Sequence, residues 1–244
     1  GETGLSCRGE HVPFYDRRIE LIVLTNTDYD HMNGLSAVLE RYTVLEFVTA
    51  DGVHTSAALN KLTDQLANKQ IQVEAVEQGD QLRILGVDEL QFQVLWPPEV
   101  IEEYVAVIGH QMEDSVREQI LGASAKRGDL NERSVVLLLL EDNYRALLMG
   151  DAGFQTEKDL LLQGMLPDVD YLKVGHHGSK YASSAEFLAK VRPKVAVISV
   201  GKKNTYGHPT SEALGRLAQV GAEVRRTDLE SEVVVAVDKV DVVE

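Results

Sequence analysis

The chain has 244 residues, enough for one large domain or two small ones with a substantial core. Its formal net charge is −15, which argues against a broad electrostatic footprint on nucleic acid, and no apolar run nears the roughly 20 residues of a membrane span. A single cysteine, Cys7, rules out an intrachain disulfide and any cysteine-based metal cluster.

Residues 1–10 lack the apolar segment of a secretory signal and read as a tail or a truncated start; residues 11–244 then form the domain. Leu21 to Thr25 reads as a strand, Ser36 to Tyr42 as a short helix and Glu46 to Ala50 as the next strand. Thr55 to Asn68 has helical periodicity, with Ala58, Leu62, Leu66 and Ala67 near one face. Gln70 to Val76 and Gln81 to Leu85 read as strands around the turn at Gly79-Asp80, and Gln91 to Trp96 is a strand stopped by Pro97-Pro98. Glu99 to Asp129 is polar and glycine-containing, either helical or an insertion. Ser134 to Leu140 and Ala146 to Gly150 form a hairpin around Asp142-Asn143. Helices follow at Glu157 to Gly164, Ser184 to Val191 and Ser211 to Gly221, and strands at Tyr171 to Gly175, Val195 to Gly201, Glu223 to Arg226 and Glu232 to Val237. Strands and helices fill both halves of the chain, which predicts two mixed sheets packed face to face with helices outside each.

Four loops share one pattern: an apolar strand ends and ligand-type side chains follow. Asn26, Asp28, Asp30 and His31 follow Leu21-Ile22-Val23-Leu24. Asp151 follows Met149-Gly150, His176-His177-Gly178-Ser179-Lys180 follows Val174-Gly175, and Asn204 to Pro209, with His208, follows the strand from Val195. Unpaired carboxylates are costly to desolvate, so a core has no use for two of them and an imidazole on one short loop; a divalent cation does. Each piece alone has a plainer use. Asp28-x-Asp30-His31 serves equally as an Asx-turn capping the next helix, Asp151 as a turn residue, and Gly207-His208-Pro209 as a turn. Asn131-x-x-Ser134 either caps a turn or serves the site. Their joint occurrence at strand ends favours a site. His11, His54 and His110 read as surface residues, and Trp96 as packing.

The segments "LTNTDYDHMNGL", "NERSVVLLL", "LLMGDAGFQTEKDLL", "LKVGHHGSKYASS" and "SVGKKNTYGHP" resemble the metallo-β-lactamase-like domain of ComEC-type DNA-uptake (competence) proteins. The resemblance covers roughly His11 to Asp238. It implies an α/β fold, a four-layer αββα sandwich with a metal site at one edge of the sheets. The opening strand pair of that family is missing or diverged here, which reads as a fragment or an altered start. Carried over, Asp28, Asp30 and His31 fall on metal-ligand positions, Asp151 on the position that bridges two metals, and one of His176 and His177, with His177 favoured, on a further ligand position. His208 and Lys180 would face substrate phosphate or assist proton transfer. Asn26 stands where the superfamily motif begins with His, and is a weak ligand.

The implied cofactor is one or two divalent ions, Zn²⁺ or Mn²⁺, and the implied activity is metal-assisted hydrolysis of a phosphodiester, DNA above all. In that mechanism Asp151, His176, His208 and Lys180 do the chemistry, while Ser179, Lys180, Asn204 and Tyr206 contact substrate. The alternatives are a degenerate domain that binds ligand or partner without turnover, and hydrolysis of a lactam, lactone or thioester. A stand-alone protein would be cytoplasmic, and a piece of a membrane DNA-uptake protein extracytoplasmic.

Overall fold

Apolar strands with two hydrophobic faces must be covered on both, and this chain covers them by stacking four layers. The structure is a computed structural model in which residues 15–50, 56–84, 90–98 and 131–235 are described. The first sheet holds three parallel strands in the order β1-β2-β3: β1 (Arg18–Leu24), β2 (Thr43–Ala50) and β3 (Gln72–Val76). Helices α1 (Tyr29–Met32), α2 (Leu35–Arg41) and α3 (Ala57–Asn68) make the crossovers. Ser56 caps α3 by accepting from Leu59 N–H, a bond worth about 1 kcal/mol.

The second sheet holds seven strands in the order β10-β9-β8-β7-β6-β5-β4. They are β4 (Gln81–Arg83), β5 (Leu90–Trp96), β6 (Val136–Glu141), β7 (Tyr144–Leu148), β8 (Tyr171–Lys173), β9 (Val195–Ile198) and β10 (Glu223–Arg226). Strands β4 to β7 are antiparallel neighbours, and β7 to β10 run parallel. Helices α4 (Phe154–Gln163), α5 (Ala185–Val191) and α6 (Ser211–Gln219) cover the outer face. A short helix α7 (Thr227–Glu230) follows β10.

Three apolar clusters separate the layers. Leu24, Phe47 and Val44 meet Met32, Leu39, Leu62 and Leu66 between the first sheet and its helices. Val48 and Ala50 meet Val94, Val135 and Leu137 between the sheets. Leu138, Leu147, Leu172 and Ile198 meet Leu160, Phe187, Leu188 and Leu217 on the outer face. The alternation is visible inside single strands: Leu138 faces the helices, and Leu137 faces the other sheet. This is the expected αββα sandwich.

Some expectations need correction. The first sheet is wholly parallel, so only the larger sheet is mixed. Residues 232–235 are not strand, and Thr227–Glu230 is a helix that the polar sequence hid. Ser134 precedes β6 rather than belonging to it. The expectations for residues 1–14, for 99–129 and for His11, His54 and His110 lie outside the described residues. No helix among the described residues is long and apolar enough to cross a membrane.

Candidate metal centre

Three of the four candidate loops leave one end of the larger sheet, because β7, β8 and β9 are adjacent and parallel. The fourth follows β1 in the other sheet and is tied across. Val135 N–H donates to Thr25 O at 2.8 Å, and Asn26 Nδ2 donates to Ser134 Oγ at 3.1 Å. The β6–β7 hairpin sets Ser134, just before β6, beside Asp151, just beyond β7. Asp151 N–H donates to the same Ser134 Oγ at 3.0 Å. One hydroxyl therefore links the first loop to the second. Gly150 makes the turn at φ +55, and a Cβ there would meet Ser134 Cβ at 2.8 Å.

Four ligand-type atoms, one each from Asp30, His31, Asp151 and His177, lie within 4.8 Å of one another. His31 Nε2 is 3.0 Å from Asp151 Oδ2. His177 Nε2 is 3.2 Å from Asp30 Oδ2 and 3.4 Å from Asp151 Oδ2. His177 Nδ1 stands 2.6 Å from Ser199 O. A carbonyl only accepts, so Nδ1 carries a proton and the neutral ring turns its bare Nε2 toward the carboxylates. Thr25 Oγ1 lies 3.1 Å from His31 Nδ1 and, as a hydroxyl, can accept from the corresponding tautomer of that ring. Two imidazole lone pairs and two carboxylates aimed at one point repel unless a cation lies among them. Either protons or a divalent ion meets that need, and the donor set of two nitrogens and two oxygens suits zinc or manganese.

The electrostatics agree. Asp151 is 2% exposed, and its Oδ1 is buried without a hydrogen-bond partner. Burial works against its charge, but the hydrogen bonds with His177 and His31, and the Lys173 ammonium, outweigh burial and hold the carboxyl below the usual carboxylate range. The hydrogen bond to Asp151 raises the His177 imidazole, with burial opposing.

The turn Gly175–Gly178 that carries the histidine pair is strained. His176 (φ 42, ψ 49) and His177 (φ 52, ψ 23) are both left-handed, which costs about 1–2 kcal/mol for each non-glycine residue. The successive left-handed residues aim the two rings differently. His177 faces Asp30 and Asp151, whereas His176 meets the His208 ring edge-on at 5.7 Å. Gly178 follows at φ +80, and a Cβ there would strike Pro209 Cβ at 2.6 Å.

The other candidate residues fall around this group. Asp28 precedes α1, and burial, then Asp30, push its carboxyl up; it is not among the four converging residues. Both ends of the Asn26 amide are engaged, because Oδ1 accepts Asp28 N–H at 3.1 Å. Burial and then the neighbouring His176 and His177 push His208 down, and its Nδ1 is buried without a partner. Asn204 shapes the His208 loop, donating to His208 O at 2.9 Å and accepting His208 N–H at 3.1 Å. Tyr206, 84% exposed, stacks on His208. Ser179 is buried and accepts Tyr181 N–H, and Lys180 lies 4.9 Å over the Tyr181 ring.

Sequence reasoning missed Lys173. Its ammonium donates to Gly150 O at 2.7 Å and stands 3.8 Å from Asp151 Oδ1. The available signal was a lysine between the buried Leu172 and Val174 at the end of an apolar strand, three residues ahead of the histidine pair.

A family model described as the metallo-beta-lactamase superfamily matches residues 14–202. The chain belongs to that superfamily. Among curated proteins, this superfamily domain is similar to ComE operon protein 3 of Bacillus subtilis, with 28% identity over 214 residues that make up 87% of this chain and 24% of that protein. It is also similar to competence protein ComA of Neisseria gonorrhoeae, with 36% identity over 119 residues, 48% of this chain and 17% of that protein. The chain thus spans a quarter or less of these relatives. Among solved structures, the metallo-beta-lactamase fold protein YhfI from Bacillus subtilis shares the fold at a TM-score of 0.53 and 10% identity, over 91% of this chain and 79% of that one.

Proposed function

We propose that this metallo-beta-lactamase domain is a metal-dependent phosphodiesterase acting on DNA. The observation that carries the reading is the convergence of Asp30, His31, Asp151 and His177 within 4.8 Å, with the His177 tautomer fixed by Ser199 O. These four residues would hold one Zn²⁺ or Mn²⁺ ion. Such an ion supplies Lewis acidity and acidifies bound water at neutral pH. Ser134 and Lys173 fix the Asp151 carboxylate, through its backbone N–H and its charge. His176 and His208, ring against ring beside the group, are placed to exchange a proton with a substrate oxygen. Tyr206 and Lys180 offer exposed contact to a nucleotide chain. The resemblance to DNA-uptake (competence) proteins, with a competence protein among the relatives, supports DNA as the substrate.

One observation favours a second reading. The Asn26 amide is spent on Ser134 and Asp28 N–H, so a second ion has no ready ligand there. A domain that binds ion and ligand without turnover fits that geometry.

The test combines calorimetric titration with Zn²⁺ and Mn²⁺ and a gel assay on single- and double-stranded DNA. Wild type is expected to bind an ion and to cleave. Asp151→Ala should weaken binding at least 100-fold, and His177→Ala should abolish cleavage. Binding without cleavage selects the second reading. Identical metal responses in wild type and Asp151→Ala remove the metal centre altogether.

A further inference from the structure

The segment 179–184 joins the strained histidine turn to α5, and charged side chains from two helices hold it. Glu157, buried in the first turn of α4, accepts Ser183 N–H at Oε1 and Ser184 N–H at Oε2, the latter at 2.7 Å. Arg216 of α6 donates to three carbonyls of the same segment: Nε–H to Ser183 O at 2.6 Å, and Nη2 to Lys180 O and Ala182 O, both at 2.9 Å. The remaining carbonyl between them, Tyr181 O, accepts Phe154 N–H at 2.8 Å. The segment is tied back to the turn through Ser179 N–H to His176 O at 2.8 Å. None of these clamping side chains points at the four converging atoms, and neither Glu157 nor Arg216 was a candidate site residue.

We propose that Glu157 and Arg216 are positioning residues for His177: an anion grips the N–H groups and a cation grips the carbonyls of one strap, so the ion affinity of the centre depends on the Glu157 carboxylate being charged. The inference rests on the metal-centre reading above. Two consecutive left-handed histidines persist only where their surroundings over-determine them, and the strap supplies that constraint. A metal ligand must be held to about 0.5 Å, and residues acting through the ligands typically change affinity 10- to 100-fold.

The charge matters for a geometric reason. Both Glu157 oxygens accept N–H donors, and an ionised carboxylate accepts them more strongly than a protonated carboxyl, whose hydroxyl oxygen is a weak acceptor. Burial pushes Glu157 up to about 7, while the Ser184 and Ser183 N–H groups pull it down and Glu132 adds to the rise. Among the described residues, the charges on the elements packed against it are few. The turn Asn131–Arg133 contributes Glu132 and Arg133, of which Glu132 acts on Glu157. Strand β5 carries no charged residue. Helix α5 turns Phe187, Leu188 and Val191 inward, leaving Glu186 and Lys190 exposed, and Arg216 reaches the strap's carbonyls from α6.

The test is a Zn²⁺ competition titration between pH 6 and 8 on wild type, Glu157→Gln, Arg216→Lys and the exposed control Glu186→Gln, with the Co²⁺ absorption spectrum as a report of ligand geometry. Protonation of the histidine ligands weakens binding in all four at low pH, so the readout is the ratio to wild type. Glu157→Gln should bind about 10-fold or more weakly at pH 8 and converge with wild type toward pH 6, where Glu157 is itself protonated. Arg216→Lys should bind about 10-fold more weakly at both ends, with an altered Co²⁺ spectrum, and Glu186→Gln should follow wild type. A Glu157→Gln affinity within twofold of wild type at pH 8, or a deficit that does not change with pH, overturns the proposal. If Glu157→Gln does not fold, Arg216→Lys decides, and unchanged affinity and spectrum overturn it. Failure of wild type to bind zinc at any pH overturns the metal centre and this proposal with it, whereas tight wild-type binding with unchanged variants overturns the strap alone.

Discussion

At the scale of single residues, the centre is a balance of buried charge. Asp151 Oδ2 faces two imidazoles while Oδ1 depends on Lys173, 3.8 Å away. Removing one partner of a buried ion pair leaves the other charge uncompensated. Lys173 is partly exposed, which moderates the cost. Lys173→Met should therefore lower the stability of the ion-free protein by about 2 kcal/mol, measured by urea unfolding. Saturating Zn²⁺ should shrink that loss, because the ion takes over the neutralising role. An equal loss with and without zinc would show that Lys173 serves packing instead. Lys173 was not legible beforehand because nothing in its strand says which face meets the Asp151 loop. His31, Asp151 and the histidine pair were legible as candidates, because carboxylates and imidazoles crowded at strand ends are hard to explain as core. Asn26 shows the limit: sequence gave it one weak-ligand reading, and the fold gave its amide two hydrogen-bond partners.

At the scale of elements, α4 and α6 carry more than an apolar face. Leu160 and Leu217 pack inward as the helical period requires, but Glu157 is buried beside Leu160 and grips the strap. Its folded carboxyl is pushed up to about 7 from an ordinary 4.5. For an acid raised in this way, the favourable contribution is fully present below pH 4.5 and is lost as pH rises through 7. Glu157→Gln removes the cost of burying the charge. Relative to wild type, the variant should gain about 3 kcal/mol between pH 4.5 and pH 8, read from denaturant midpoints at each pH. A stability difference that is flat with pH would contradict the burial argument. A variant that is more stable at pH 8 and binds zinc less well would separate positioning from mere structural support. Sequence could not announce this residue, because a glutamate in the first turn of a helix reads as an exposed, dipole-favoured charge.

At the scale of the whole molecule, the centre joins two sheets. Asp30 and His31 follow β1 in the first sheet, while Asp151 and His177 follow β7 and β8 in the second. An ion held by both must therefore oppose separation of the two halves. An ion at 100 times its dissociation constant adds about 2.7 kcal/mol to stability. For a chain of this size that is a rise in Tm of about 5–10 °C, measured by thermal melting with Zn²⁺ and reversed by EDTA. Asp151→Ala should show no such shift. A wild-type Tm that ignores zinc would contradict a site shared between the sheets.

The amino-acid order by itself determined the strands and most helices, the layered class and the four strand-end loops that carry ligand-type side chains, since hydrophobic period and turn chemistry are local properties. Only the tertiary structure decided which atoms meet: that Ser134 joins Asn26 to Asp151, that Lys173 neutralises a carboxylate, and that Glu157 and Arg216 grip one strap from two helices. Those contacts depend on strand order and register across sequence separations of up to more than a hundred residues, and no local pattern encodes them.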